Sequence, residues 1–94
     1  MLHINTFMHK KNPGYEVKSI ITLKQRNEKD GDSALHALHQ KLEKIIPGSI
    51  KAKYTLNFGE LNVSIKLDKA SQAQTMVHKL GDFVKLAVTA LKLG

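Results

Sequence analysis

The sequence predicts a single α+β domain of order ββαββα, a four-stranded antiparallel sheet with two helices packed on one face. Three observations carry that prediction. Residues Ile50 to Phe58 and Leu61 to Leu67 alternate apolar with polar without a break. A second, looser alternating pair brackets Asn12-Pro13-Gly14-Tyr15, a type I or II turn signature. Each pair is followed by a stretch whose apolar residues recur at steps of three and four, the spacing of a helix that buries one stripe.

In the first pair, Leu2, Ile4 and Met8 alternate with His3, Asn5 and Phe7. In its second strand, Tyr15, Val17, Ile21 and Leu23 turn inward while Glu16, Lys18, Thr22 and Lys24 turn outward. Ile20 breaks the rule by pointing to the polar side. With Pro13 and Gly14 as the central pair, Met8 is expected opposite Ser19, Thr6 opposite Ile21 and Ile4 opposite Leu23. The polar stretch Gln25 to Asp32 reads as a connector, and Asp32 or Ser33 as the residue that accepts the first amides of a helix. Ala34, Leu35, Leu38, Leu42, Ile45 and Ile46 then form its stripe, and Pro47-Gly48-Ser49 ends it.

The second hairpin places Ile50, Ala52, Tyr54, Leu56 and Phe58 on the inner face with Leu61, Val63, Ile65 and Leu67. Lys51, Lys53, Thr55 and Asn57 lie on the outer face with Asn62, Ser64 and Lys66. Gly59-Glu60 fits a two-residue type II′ turn, which pairs Phe58 with Leu61, Leu56 with Val63 and Tyr54 with Ile65. The last helix begins near Lys69 to Ser71 and runs almost to the end, with Ala73, Met76, Val77, Leu80, Val84, Ala87, Val88 and Leu91 on its stripe. GYEVKSIITLK beside GELNVSIKLDK gives a faint echo between the two halves. The βαββα order from residue 15 onward is similar to that of small DNA-damage-inducible regulators. Their acidic second helix has no counterpart in a segment punctuated by Lys79, Lys85 and Lys92, so the likeness is one of element order.

Length and composition bound the function. At 94 residues the chain suits one domain, 1–94, with one core. The absence of cysteine excludes a disulfide framework, a thiolate metal site and a cysteine nucleophile. No run approaches a membrane span and the start has no uninterrupted apolar signal core, so a cytoplasmic protein with no membrane partner is the expectation. Fifteen Lys plus Arg against eight Asp plus Glu leave a net charge of +7, which favours polyanionic partners. All the cations but Arg26 are lysine. Lysine is a hydrated point charge without the planar fork that reads base edges, so contacts to nucleic acid are expected at phosphate, salt-sensitive and weakly selective for sequence.

Two readings of function follow. In the first, the chain is a small basic non-catalytic binding module: Lys18, Lys24, Lys51, Lys53 and Lys66, set among small polar side chains on an open sheet face, contact nucleic-acid phosphates or another acidic partner. Tyr54 and Phe58 fall on the core side, which leaves Phe7 as the outward aromatic and disfavours recognition by base stacking. In the second, the chain is a homodimeric interaction or assembly module. Phe83 and Ala90 flank the stripe of the last helix, Leu86 and Leu93 lie nearly opposite it, and these four make the contact while the lysines serve solubility. His36, His39 and Glu43 share a helix face with a weak metal-ligand spacing. They lie opposite the leucine stripe, where solvated polar residues are expected, so no metal site is assigned. No cofactor motif and no catalytic constellation is present, and an enzyme is not expected.

Overall fold

The computed structural model describes residues 2–23 and 28–93. In chain order the elements are β1 (Leu2–Lys10), β2 (Tyr15–Leu23), α1 (Glu28–Ile45), β3 (Ala52–Asn57), β4 (Glu60–Leu67) and α2 (Ala70–Ala90). The four strands form one sheet in the spatial order β1-β2-β4-β3, antiparallel at every step. This is the α+β architecture the alternation predicts. The connection through α1 carries the chain past one strand width, so β4 returns into the gap between β2 and β3. Helix α2 lies over β1 and β2, α1 over β4 and β3, and the helices touch each other.

The core is the inner face of the two central strands closed by the helix stripes. Val17, Ile21, Leu61, Val63 and Ile65 meet Leu35, Leu38 and Leu42 of α1 and Ala73, Leu80, Val84 and Ala87 of α2, all buried. Ser19 is the one buried hydroxyl of this face, and its Oγ lies 3.0 Å from Thr6 Oγ1 on the neighbouring strand. The pairing satisfies both groups, which keeps a polar side chain in the core at little net cost.

Both hairpin registers differ from expectation by an even step. In the first, Met8 pairs with Val17, Thr6 with Ser19 and Ile4 with Ile21, because the turn spans Lys11 to Gly14 rather than Pro13-Gly14 alone. The Asn12–Pro13 peptide is cis, and the Lys11 N–H donates to the Gly14 carbonyl at 2.8 Å. In the second, Asn57 pairs with Glu60, Leu56 with Leu61 and Tyr54 with Val63, and the central pair of the turn is Phe58-Gly59. Gly59 has φ 71° and so supplies the positive φ at the second position, where the type II′ expectation put it first. An even slip leaves each side chain on its own face, so the sheet keeps its inside and outside. Phe58 is the exception: the turn lifts it off the core and leaves it 71% exposed, and Leu56 is 39% exposed at the sheet edge.

Helix α1 begins at Glu28, a turn earlier than the polar composition indicated, and Asp32 and Ser33 lie inside it rather than at its cap. Asp32 has a different task. Its Oδ1 accepts the Gly59 N–H at 3.2 Å, while the Gly59 carbonyl accepts the Leu23 N–H at 3.3 Å. The β3–β4 turn is thereby tied to α1 and to the end of β2. At the C-terminus, α2 stops at Ala90 and the chain closes in nested hydrogen bonds, Lys92 N–H to Thr89 and Leu93 N–H to Val88, with Lys92 at φ 56°. This reversal folds Leu93 back against the core, instead of continuing the helix and leaving it opposite the buried stripe.

Two substitutions test these backbone constraints. Lys92→Gly removes a side chain from a left-handed position, where glycine is the usual occupant, and should stabilise the fold by about 0.5–1 kcal/mol, read as a higher melting temperature. Gly14 has φ 83°, and a Cβ there would sit 2.6 Å from the Leu67 carbonyl oxygen. Gly14→Ala should therefore cost about 2 kcal/mol or more in urea unfolding, with an unchanged far-UV spectrum below the transition.

Candidate functional site

The antiparallel registers order the outer face into rows that cross the sheet. One row runs His9, Glu16, Lys66; the next Phe7, Lys18, Ser64, Lys53; the third Asn5, Ile20, Asn62, Thr55; the last His3, Thr22, Glu60, Asn57. The strand period of two puts all of them on the side away from the helices. Across β2, β4 and β3 these rows enclose a shallow depression of about 550 Å³. Its wall contains Lys11, Lys18, Lys53 and Lys66, two carboxylates, Glu16 and Glu60, and the small polar side chains of Thr55, Asn57, Asn62 and Ser64.

Three of the five lysines expected on this face therefore converge on one concavity. Lys51 precedes β3 and is exposed, but it does not line the depression, and Lys24 lies outside the described residues. Lys11, assigned no role by the sequence pattern because it sits in the turn, joins the wall from the β1–β2 connection.

Glu16 organises the site. Its side chain is only 9% exposed although it stands on the outer face, because its neighbours close over it. Ser64 Oγ donates to Oε2 at 2.5 Å, His9 Nε2 lies 2.7 Å from Oε1, and Lys11 Nζ lies 3.4 Å from the same oxygen. The Ser64 hydrogen bond is the largest influence on its acidity, and with His9 and Lys11 it outweighs the opposing effect of desolvation. The Glu16 carboxyl is held at about 2, below its ordinary 4.5. The carboxylate is thus committed to β4, β1 and the turn. Among the described residues no ion pair engages Lys18, Lys53 or Lys66. Lys18 and Lys53 flank Ser64 two strand spacings apart, roughly 10 Å, where two bare charges repel by about 0.4 kcal/mol in water. The fold can carry that repulsion, and an anion placed between them would relieve it.

Elsewhere the expected groups are dispersed. His39 Nε2 lies 2.7 Å from Glu43 Oε1, and the His39 ring packs on Tyr54 with centroids 4.4 Å apart. His39 is thus half-buried against β3 rather than solvated, because the flank of α1 overhangs the sheet edge. Burial, and then the Glu43 charge, push the Tyr54 hydroxyl above its ordinary pKa. His36 meets His39 edge to face at 6.5 Å, and among the described residues no cluster of His, Asp or Glu is arranged to hold a metal ion. Of the proposed helix contact, Leu86 is 58% exposed and Ala90 is exposed, whereas Phe83 and Leu93 are partly buried against the core. Among the described residues no helix is long and apolar enough to cross a membrane. No family model, no curated protein and no solved structure matches the chain. The fold and its outer face define the class: an α+β domain with an open, cationic, aromatic-poor sheet surface.

The depressed Glu16 pKa sets an acid limb to stability. Its contribution is fully present above pH 4.5 and is lost as the pH falls toward 2, as the native carboxylate takes up its proton. His9 and Lys11 reach solvent, so the contribution is about 2 kcal/mol rather than the full equivalent of the shift. Glu16→Gln should flatten the fall of unfolding free energy between pH 4.5 and 2. Ser64→Ala should cost about 1–2 kcal/mol at neutral pH and raise the carboxyl's pKa, readable by NMR titration.

Proposed function

We propose that this protein is a non-catalytic binding module whose outer sheet face takes the phosphate groups of nucleic acid. The observation that supports this reading is the convergence on one polar depression of Lys18, Lys53 and Lys66, none of them ion-paired with a carboxylate among the described residues. Glu16 would be expected to compete with a bound anion, yet its oxygens are already occupied by Ser64, His9 and Lys11, so it acts as a strut beneath the lysines. The Thr55 hydroxyl and the second N–H of the Asn62 amide, whose first is given to Glu60, lie among the lysines and can donate to phosphate oxygens. Among the described residues the face carries no arginine, so recognition follows charge and surface shape rather than base identity.

Binding of labelled duplex and single-stranded oligonucleotides at several salt concentrations tests this directly. Affinity should fall linearly on logarithmic axes with salt, and a combined Lys18→Gln, Lys53→Gln, Lys66→Gln variant should lower the slope by about 2–3 for duplex. The absence of binding at about 50 mM salt, where the electrostatic contribution is strongest, would overturn the proposal. So would a slope that the variant leaves unchanged.

A further inference from the structure

The two edges of the sheet are unequal. The β3 edge is short, Ala52–Asn57, and is protected by a charge on the strand, Lys53, with Lys51 just before it. The β1 edge is nine residues long, pairs with β2 from Leu2 to Lys10 without a bulge, and among the described residues has no strand on its other side. From Leu2 to Met8 it contains no lysine, arginine, carboxylate or proline. Those are the devices by which natural edge strands are kept from pairing, and β1 has none of them over that span. Ile4 in its middle remains 40% exposed, while Ile21 and Leu61 in the same inner-face row are fully buried.

We propose that β1 pairs with β1 of a second copy, antiparallel across a two-fold axis, to make a continuous eight-stranded sheet. Self-complementarity of the strand selects a second copy as the occupant, and charge selects this edge for it. Each copy carries +7, and association through the lysine-bearing β3 edge or outer face would bring like charges together, whereas the Leu2 to Met8 segment contains no lysine, arginine or carboxylate. Antiparallel pairing of one strand with itself is also self-complementary, so the assembly closes at two copies instead of propagating. With Thr6 on the axis, Ile4 lies opposite Met8 of the second copy on the inner face, and Asn5 opposite Phe7 on the outer one. The exposed flank of Ile4 is then covered by an apolar side chain. The two lysine depressions end up on the same side of one extended sheet.

Sedimentation velocity of the full chain, from low micromolar to submillimolar protein, reads the outcome. The wild type should approach twice 10.5 kDa with rising concentration. Ile4→Lys, a charge at a position already partly in solvent, should halve that mass while keeping the far-UV spectrum and melting temperature of the free monomer. Leu86→Lys should leave the dimer intact. Amide exchange should slow along β1 as dimer forms in the wild type and not in Ile4→Lys. A wild type that stays monomeric throughout, a dimer that survives Ile4→Lys, or a dimer abolished by Leu86→Lys would each overturn the proposal. The result is independent of nucleic-acid binding, which a monomer can also show.

Discussion

The pairing of β2 with β4 is the constraint on which the rest depends. It joins the two βα halves of the chain, and it sets Val17 beside Ile65, Ser19 beside Val63 and Ile21 beside Leu61, all essentially without solvent contact. Both helices seal this double row, α2 from the β1 side and α1 from the β3 side. Because side chains alternate strictly along each strand, burying one side fixes the other. Glu16, Lys18, Thr22, Asn62, Ser64 and Lys66 are on the outer face because Val17, Ser19, Ile21, Leu61, Val63 and Ile65 are in the core. A one-residue slip would place lysines under the helices, so the apolar core enforces the cationic exterior.

This coupling explains what could be read from the sequence. Face assignment depends only on parity, and parity is printed in the alternation of Ile50 to Leu67 and, less cleanly, of Leu2 to Leu23. The element order, the helix stripes and the outward lysines followed from it. Register does not follow from parity. It is set by how many residues each turn consumes: Lys11 to Gly14 takes four, and Phe58 occupies the second turn in place of Glu60. The even shift leaves the faces unchanged but takes Phe58 off the core and into solvent. The start of α1 was obscured for another reason. Asp and Gly are poor helix residues, and the bond that ties Asp32 to the Gly59 amide is long-range, so neither signals a helix start in the local sequence.

The role of Glu16 was illegible for a related reason. An isolated Glu in a strand is unremarkable, and its meaning comes from having His9 on one side, Lys66 on the other and Ser64 on the diagonal, which requires both registers at once. In place, it does two things. It binds three segments of the chain at the end of the sheet where the Lys11 to Gly14 turn emerges. It also engages His9 and Lys11, so the lysines of the depression left without an ion pair among the described residues are Lys18, Lys53 and Lys66, on β2, β3 and β4.

That partition of charge also bears on how the surface is used. Lys18, Lys66 and Lys53 of the outer face stand on β2, β4 and β3, whereas the outer side of β1 presents His3, Asn5, Phe7 and His9, with no lysine, arginine or carboxylate. A protein carrying +7 on 94 residues gains little by meeting its own copies through its charged side. The neutral edge is where backbone groups remain to be paired, and the charged side is where an anion would be drawn. The depression reaches β2, the neighbour of β1, but its lining includes no residue of β1, so pairing along the free edge of β1 would leave it open.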